Sequence, residues 1–226
     1  MINIKPEERR NVGWLLVHSF CNGVATSSLI SAAPSLFLEH FKSSSLPFCY
    51  IGTAILLPLI GIGTMRFASK VSLRKLLYGN LIFLAVAAVA FRTLFSVEMQ
   101  RVAAAMLVTW VDVQVFLLAF EFETLTGTLF DIRRAKTIFP IVGAGELIAG
   151  ILGGLLIPLF AKEFGAHNLL WISASALLGG MAAVGMIKWE SAKHPTHEEV
   201  EPKANQTSAR ISPLAFTLMA TAALAD

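Results

Sequence analysis

Three rows of polar side chains interrupt otherwise apolar stretches of this chain, and they are where chemistry could be done. His18, Asn22 and Thr26 recur at four-residue intervals, which is one face of a helix. Farther on, Asp112 and Glu123 stand eleven residues apart, close to three helical turns. Gln114 and Glu121 stand seven apart on a second stripe, and Glu146 lies in a later apolar stretch. An ionisable group in hydrocarbon costs about 2.5–3.5 kcal/mol on insertion scales, so each of these needs a cavity, a partner or a nearby helix end. His18 and Asp112 lie deepest and are expected to serve a substrate or proton path, with Asn22, Thr26 and Gln114 beside it. A midspan carboxylate such as Asp112 can be protonated in one state and charged in another. Glu121 and Glu123 sit nearer an end, and either face the same cavity or pair with Arg133, Arg134 and Lys136. No nucleophile–base spacing and no His-Glu-x-x-His pattern accompanies them, which argues against an intramembrane enzyme.

Other candidate groups have plainer readings. His194 and His197 lie beside acids in a polar segment, where histidines are ordinarily solvated. Cys21 and Cys49 sit in apolar stretches without metal-type spacing and read as buried free thiols. Gly143-Ala144-Gly145 is not a phosphate loop, because no strand precedes it. No metal and no other cofactor is implied. The sequence pI of 9.0 raises nucleic acid as a partner. The basic residues are spread over segment ends, however, with no compact surface of interleaved aromatics, so anionic lipid headgroups explain them better.

Six apolar runs must carry these groups: residues 14–36, 48–65, 76–95, 102–122, 138–160 and 169–187. Each is close to the roughly 20 residues with which a helix crosses about 30 Å of hydrocarbon. Only a backbone that satisfies its own hydrogen bonds survives there, so the runs are predicted helices. A chain that is 55% hydrophobic and 15% charged is too apolar for a soluble domain of this size. Fourteen of the eighteen cations fall on one side of the implied topology. They are Lys5, Arg9 and Arg10 before span one, Arg66, Lys70, Arg74 and Lys75 after span two, Arg133, Arg134 and Lys136 after span four, and Lys188, Lys193, Lys203 and Arg210 after span six. The positive-inside rule puts those segments in the cytoplasm. The expected fold is all-α: a polytopic integral membrane protein with a six-helix bundle over 1–188.

Residues 189–212 have almost no apolar periodicity and read as a cytoplasmic linker. Its Asn205-Gln206-Thr207 triplet would be a silent glycosylation acceptor on that side. A new apolar run over 213–226 is too short to span and is expected to open a seventh helix, the start of a second bundle. Gly145, Ala149 and Gly153, spaced by four, form a small-residue face for helix contact, and span six carries a similar set. Pro34, Pro58 and Pro158 fall late in their spans and are expected to kink or end them.

Six helices with both ends inside, a linker and a further span resemble the N-terminal half of a major facilitator superfamily transporter. In that fold helices one and four line the central cavity, which would place the polar stripes there. The segment from Gly63 to Lys75 keeps the glycine and basic cluster of the family's helix two–three signature but lacks its aspartate, unlike generic sugar and drug porters. A closer resemblance lies in Asp131-Ile-Arg-Arg-Ala-Lys136-Thr-Ile-Phe139-Pro140 and the glycine-rich 141–154. It is similar to the D-x-x-x-A-K-x-x-F/Y-P segment before helix five of bacterial and plastid ATP/ADP translocases and their bacterial relatives. Some of those relatives carry a soluble regulatory domain after the transporter. Span one has no cation to meet phosphates, and this half offers acids instead, which points away from ATP itself.

The resemblance implies a secondary transporter of the bacterial inner membrane working by alternating access. Its small-molecule substrate would be a nucleotide or another anionic or amphipathic metabolite, and its site would lie between this bundle and a second one. The alternative is a lipid-handling (flippase or scramblase) or regulatory membrane module, for which a lipid-accessible groove lined by His18 and Asn22 would speak. Glu121, Glu123, Asp131, Arg133, Arg134, Lys136 and Glu146 are expected to form a charge network that holds one gating state; the plainer reading makes the basic loop residues topology signals alone.

Overall fold

A computed structural model describes residues 6–68, 70–97, 99–130 and 132–188, without the side chains of 6–8 and 132–136. Six helices account for nearly all of it: α1 (Pro6–His40), α2 (Leu46–Ala68), α3 (Leu73–Leu94), α4 (Gln100–Leu129), α5 (Ile132–Phe164) and α6 (Leu169–Met186). Short 3-10 turns at Ser43–Ser45 and Ala166–Asn168 make two of the connections, and there is no strand among the described residues. All six helices are long and apolar enough to cross a membrane. The predicted seventh helix, the linker and Asp131 lie outside the described residues.

The helices outrun their apolar cores. α1 has 35 residues, about 50 Å of helix, and so extends well past a hydrocarbon layer. α5 begins at Ile132, so Arg133, Arg134 and Lys136 belong to its first two turns and not to a loop as the sequence suggested. Helical backbone costs nothing in water or headgroups, so polar flanks extend a span without betraying it. The prolines also end nothing: Pro34, Pro58, Pro140 and Pro158 are all inside helices that continue beyond them.

α1 is the hub, packing on α5, α6 and α4, while α3 packs on α6 and α4, and α2 on α4. Two hydrogen bonds between Asn11 and the backbone of Lys188, at 3.1 and 3.2 Å, tie the start of α1 to the end of α6. At the opposite end Arg92 Nε donates to Asn168 Oδ1 at 3.2 Å, tying the end of α3 to the start of α6.

Lipid tails are as apolar as leucine, so close packing must hold such a bundle together. The α1–α5 contact supplies it. A Cβ on Gly145 would lie 2.6 Å from the Leu16 carbonyl oxygen, and one on Gly23 would lie 2.7 Å from Ala149 Cβ. The Gly145, Ala149, Gly153 row therefore faces α1, and the backbones meet because no side chain separates them. The outer faces are the converse. α2 buries only Thr53 and exposes Phe48, Ile51, Ile55, Leu59, Ile62 and Met65. α5 exposes Leu147, Ile151, Leu155 and Leu159 at four-residue steps.

Candidate functional site

Four-residue steps overshoot a helical turn by about 40°, so the α1 row winds around its helix as it rises. His18 at one end is fully buried, Asn22 nearly so, and Thr26 is half-buried at the edge of an open cleft. His18 Nδ1 lies 3.1 Å from the Gly180 carbonyl oxygen on α6. A carbonyl only accepts, so that bond assigns the ring proton to Nδ1. Nε2 of the neutral ring is then the acceptor for Asn22 Nδ2, at 3.1 Å. The ring fits because residue 180 is glycine: a Cβ there would sit 3.2 Å from Nδ1.

Across the α1–α4 contact, Glu121 brings Oε1 to 3.6 Å from His18 Nε2. Its other oxygen, Oε2, accepts from Asn80 Nδ2 of α3 at 2.7 Å, and the same nitrogen reaches the Leu117 carbonyl at 3.3 Å. Four helices thus meet at one buried polar group. It is embedded in apolar core, with Leu15 and Ala25 on α1, Leu77, Leu81 and Leu84 on α3, Leu117 and Leu125 on α4, and Leu177 and Val184 on α6. Glu121 Oε1 and Asn22 Oδ1 are buried without a hydrogen-bond partner. Of the two, Glu121 Oε1 is the one that faces His18 Nε2.

Two cavities flank this cluster. A cleft of about 250 Å³ lies between α1, α4 and α5, lined by Ser19, Asn22 and Thr26, by Glu123 and Glu146, and by Val115, Leu118, Ala119, Phe122 and Phe139. Phe122 and Phe139 meet edge to face in its wall, with ring centroids 5.1 Å apart. A groove of about 370 Å³ lies between α2, α3 and α4, and Asn80 and Glu121 are its inner polar residues.

The expected site residues therefore separate into groups. Asn22, Thr26, Glu123 and Glu146 come together at the cleft. Asp112 is half-buried and falls on the same α4 row as the exposed Ala119 and Glu123, with no side-chain hydrogen bond among the described residues. His18 and Glu121 are inside, against each other. Gln114 is buried elsewhere, donating to Ser173 Oγ of α6 at 3.4 Å. The side chains of Arg133, Arg134 and Lys136, and all of Asp131, lie outside the described residues. Asn80 and Ser19 were not singled out in the sequence. An amide set among apolar residues well inside the run Leu76–Phe95 was the available signal for Asn80. Among the described residues no group of three His, Cys, Asp or Glu could hold a metal.

No family model matches the chain, and neither does any curated protein or solved structure. What the fold defines is a class: an all-α membrane protein with six helices fit to cross a bilayer, a buried polar cluster and an acidic cleft.

Proposed function

We propose that this chain is part of a secondary transporter working by alternating access, with the α1/α4/α5 cleft as its half of the substrate path. The observation that carries the reading is the polar lining of that cleft. Glu123 and Glu146 are exposed within spans, and Asp112 continues their face. Carboxylates there are expensive against lipid, so this face is expected to meet water and a covering helix bundle. The exposed apolar rows of α2 and α5 flank it and suit lipid or further protein.

The lining also bears on cargo. Aromatic and aliphatic side chains alternate with two carboxylates and three neutral polar groups, and no lysine or arginine is among them. An amphipathic solute with hydrogen-bond donors or a positive charge fits this half. The nucleotide or other anionic cargo implied by the 131–154 resemblance would need its cations from elsewhere. The lipid-handling alternative called for a lipid-accessible groove lined by His18 and Asn22, whereas His18 is buried and Asn22 reaches only the cleft.

Accessibility tests the proposal without knowledge of the cargo. Single cysteines at Thr26, Ala119 and Glu146 of the full-length protein, with all native cysteines (Cys21 and Cys49 among them) replaced by Ser, should react with a membrane-impermeant maleimide. Leu155→Cys, on the outer apolar row, should not. Failure of all three cleft positions to react from either side of sealed vesicles would mean that the face is lipid-exposed, and the reading falls.

A further inference from the structure

We infer that the α2/α3/α4 groove is a binding site for an anionic phospholipid, with one acyl chain in the groove and the phosphate at the turn between α2 and α3. The site is separate from the cleft and does not depend on transport.

The walls select hydrocarbon. Ile60, Phe67, Leu76, Phe83, Val113 and Phe120 contribute most of them, and Trp110 closes the deep end, its ring edge-on to Phe83 at 5.5 Å. The hydroxyls of Thr64 and Thr124 are spent on their own helices, donating to the Ile60 and Phe120 carbonyls at 2.8 and 2.6 Å. Asn80 and Glu121 are bonded to each other at 2.7 Å. Two lining polar atoms, Trp110 Nε1 and Glu121 Oε1, lack a partner among the described residues, and both are buried behind apolar wall, which suits a chain better than a hydrogen-bonding solute. A volume of about 370 Å³ is within the range of ligand-sized pockets. Space is kept open by two glycines on the walls, since a Cβ on Gly63 or Gly79 would meet nothing within 4 Å.

The mouth selects charge. The groove is built from the last turns of α2, the first turns of α3 and the second half of α4, so it ends at the turn joining α2 to α3. Phe67 and Leu76, both in the wall, are flanked in sequence by Arg66 and Lys75, and Lys70 and Arg74 lie between. All four cations are exposed. Basic clusters beside grooves between spans are a recurring way to hold anionic lipid headgroups. The same turn that would set topology is thus placed to hold a phosphate whose chain runs down the groove.

The test uses Trp110 as reporter. The full-length protein, with every tryptophan but Trp110 replaced by Phe (Trp14, Trp171 and Trp189 among them), is reconstituted into phosphatidylcholine vesicles. A small fraction of either phosphatidylglycerol or phosphatidylcholine with brominated chains is then added, and Trp110 quenching is measured. Brominated phosphatidylglycerol should quench at several-fold lower content than brominated phosphatidylcholine. Each substitution of Lys70→Gln or Lys75→Gln should weaken that preference roughly fivefold, and high salt should weaken it too. Gly79→Leu, or Gly63→Leu if the first does not fold, should reduce quenching by both lipids. Equal quenching by the two lipids, or a preference that survives loss of both lysines, would overturn the headgroup assignment. Undiminished quenching in the folded leucine variant would overturn the acyl-chain assignment.

Discussion

Replacing Asn80 by Ala should destabilise the bundle more than any change of Glu121 to Gln, although the carboxylate is the residue that attracts notice. Among the described residues Asn80 supplies the one hydrogen bond that Glu121 receives, at 2.7 Å. Hydrogen bonds between membrane helices average about 0.6 kcal/mol and reach about 1.7, because the unfolded chain in lipid finds other partners. A short bond to a buried acidic group belongs near the upper limit, and an acceptor left without a donor costs about 1–3 kcal/mol. Little cavity term is added, since the α2/α3/α4 groove is already open beside Asn80. The expected loss for Asn80→Ala is therefore about 1.5–2.5 kcal/mol. Glu121→Gln keeps an oxygen for Asn80 and should cost under about 0.5–1 kcal/mol. Glu121→Leu leaves Asn80 its bond to the Leu117 carbonyl, so the two removals are unequal. Equilibrium unfolding in mixed micelles of wild type, Asn80→Ala, Glu121→Leu and the double variant closes the cycle. The coupling should be about 1–2 kcal/mol. A coupling below about 0.5 kcal/mol, or Asn80→Ala as mild as Glu121→Gln, would refute the claim that this pair ties α3 to α4.

Gly145→Ala should lower the thermal midpoint by an overpacking cost of about 1–3 kcal/mol, because backbone stands in the way. Gly143→Ala, with nothing within 4 Å, should be neutral or stabilising; equal effects would refute the close α1–α5 approach. His18→Ala should cost about 1–3 kcal/mol by leaving Asn22 and the Gly180 carbonyl unpaired, measured as above. On the proposed transport reading, Asp112→Asn should leave folding within about 0.5 kcal/mol of wild type yet slow transport in proteoliposomes; an unchanged rate removes Asp112 from the proposed path. Joint replacement of Arg133 and Arg134 by Gln should shift maleimide accessibility between the two membrane faces more than it alters expression. Wild-type accessibility on both faces would reduce those arginines to topology signals.

Much of the architecture was legible because a membrane leaves few choices. Runs such as 48–65 and 169–187 can only be helices in lipid, and they are α2 and α6. Element ends were less legible, since Arg133 and Lys136 carry no apolar signal and yet continue the α5 helix. The polar residues were legible as a set but not in their pairing. His18 and Asp112 read alike as deep groups, and Glu121 and Glu123 read alike as end groups. Yet Glu121 and Glu123 are two residues apart, about 200° around α4, so one turn sends Glu121 into the core beside His18 and Glu123 out to the cleft.

The division follows from what each level can encode. Composition and run length alone determine that the chain is helical and fit for a bilayer, because those depend on transfer energies summed along about 20 residues. The four-residue row His18, Asn22, Thr26 likewise fixes a shared helix face. Which face of α1 meets which face of α4 depends on Gly145 letting α5 close against Leu16 and on Gly180 admitting the His18 ring. Those are contacts between residues more than a hundred positions apart, and only the folded bundle brings Asn80, Glu121, His18 and Gly180 into one cluster.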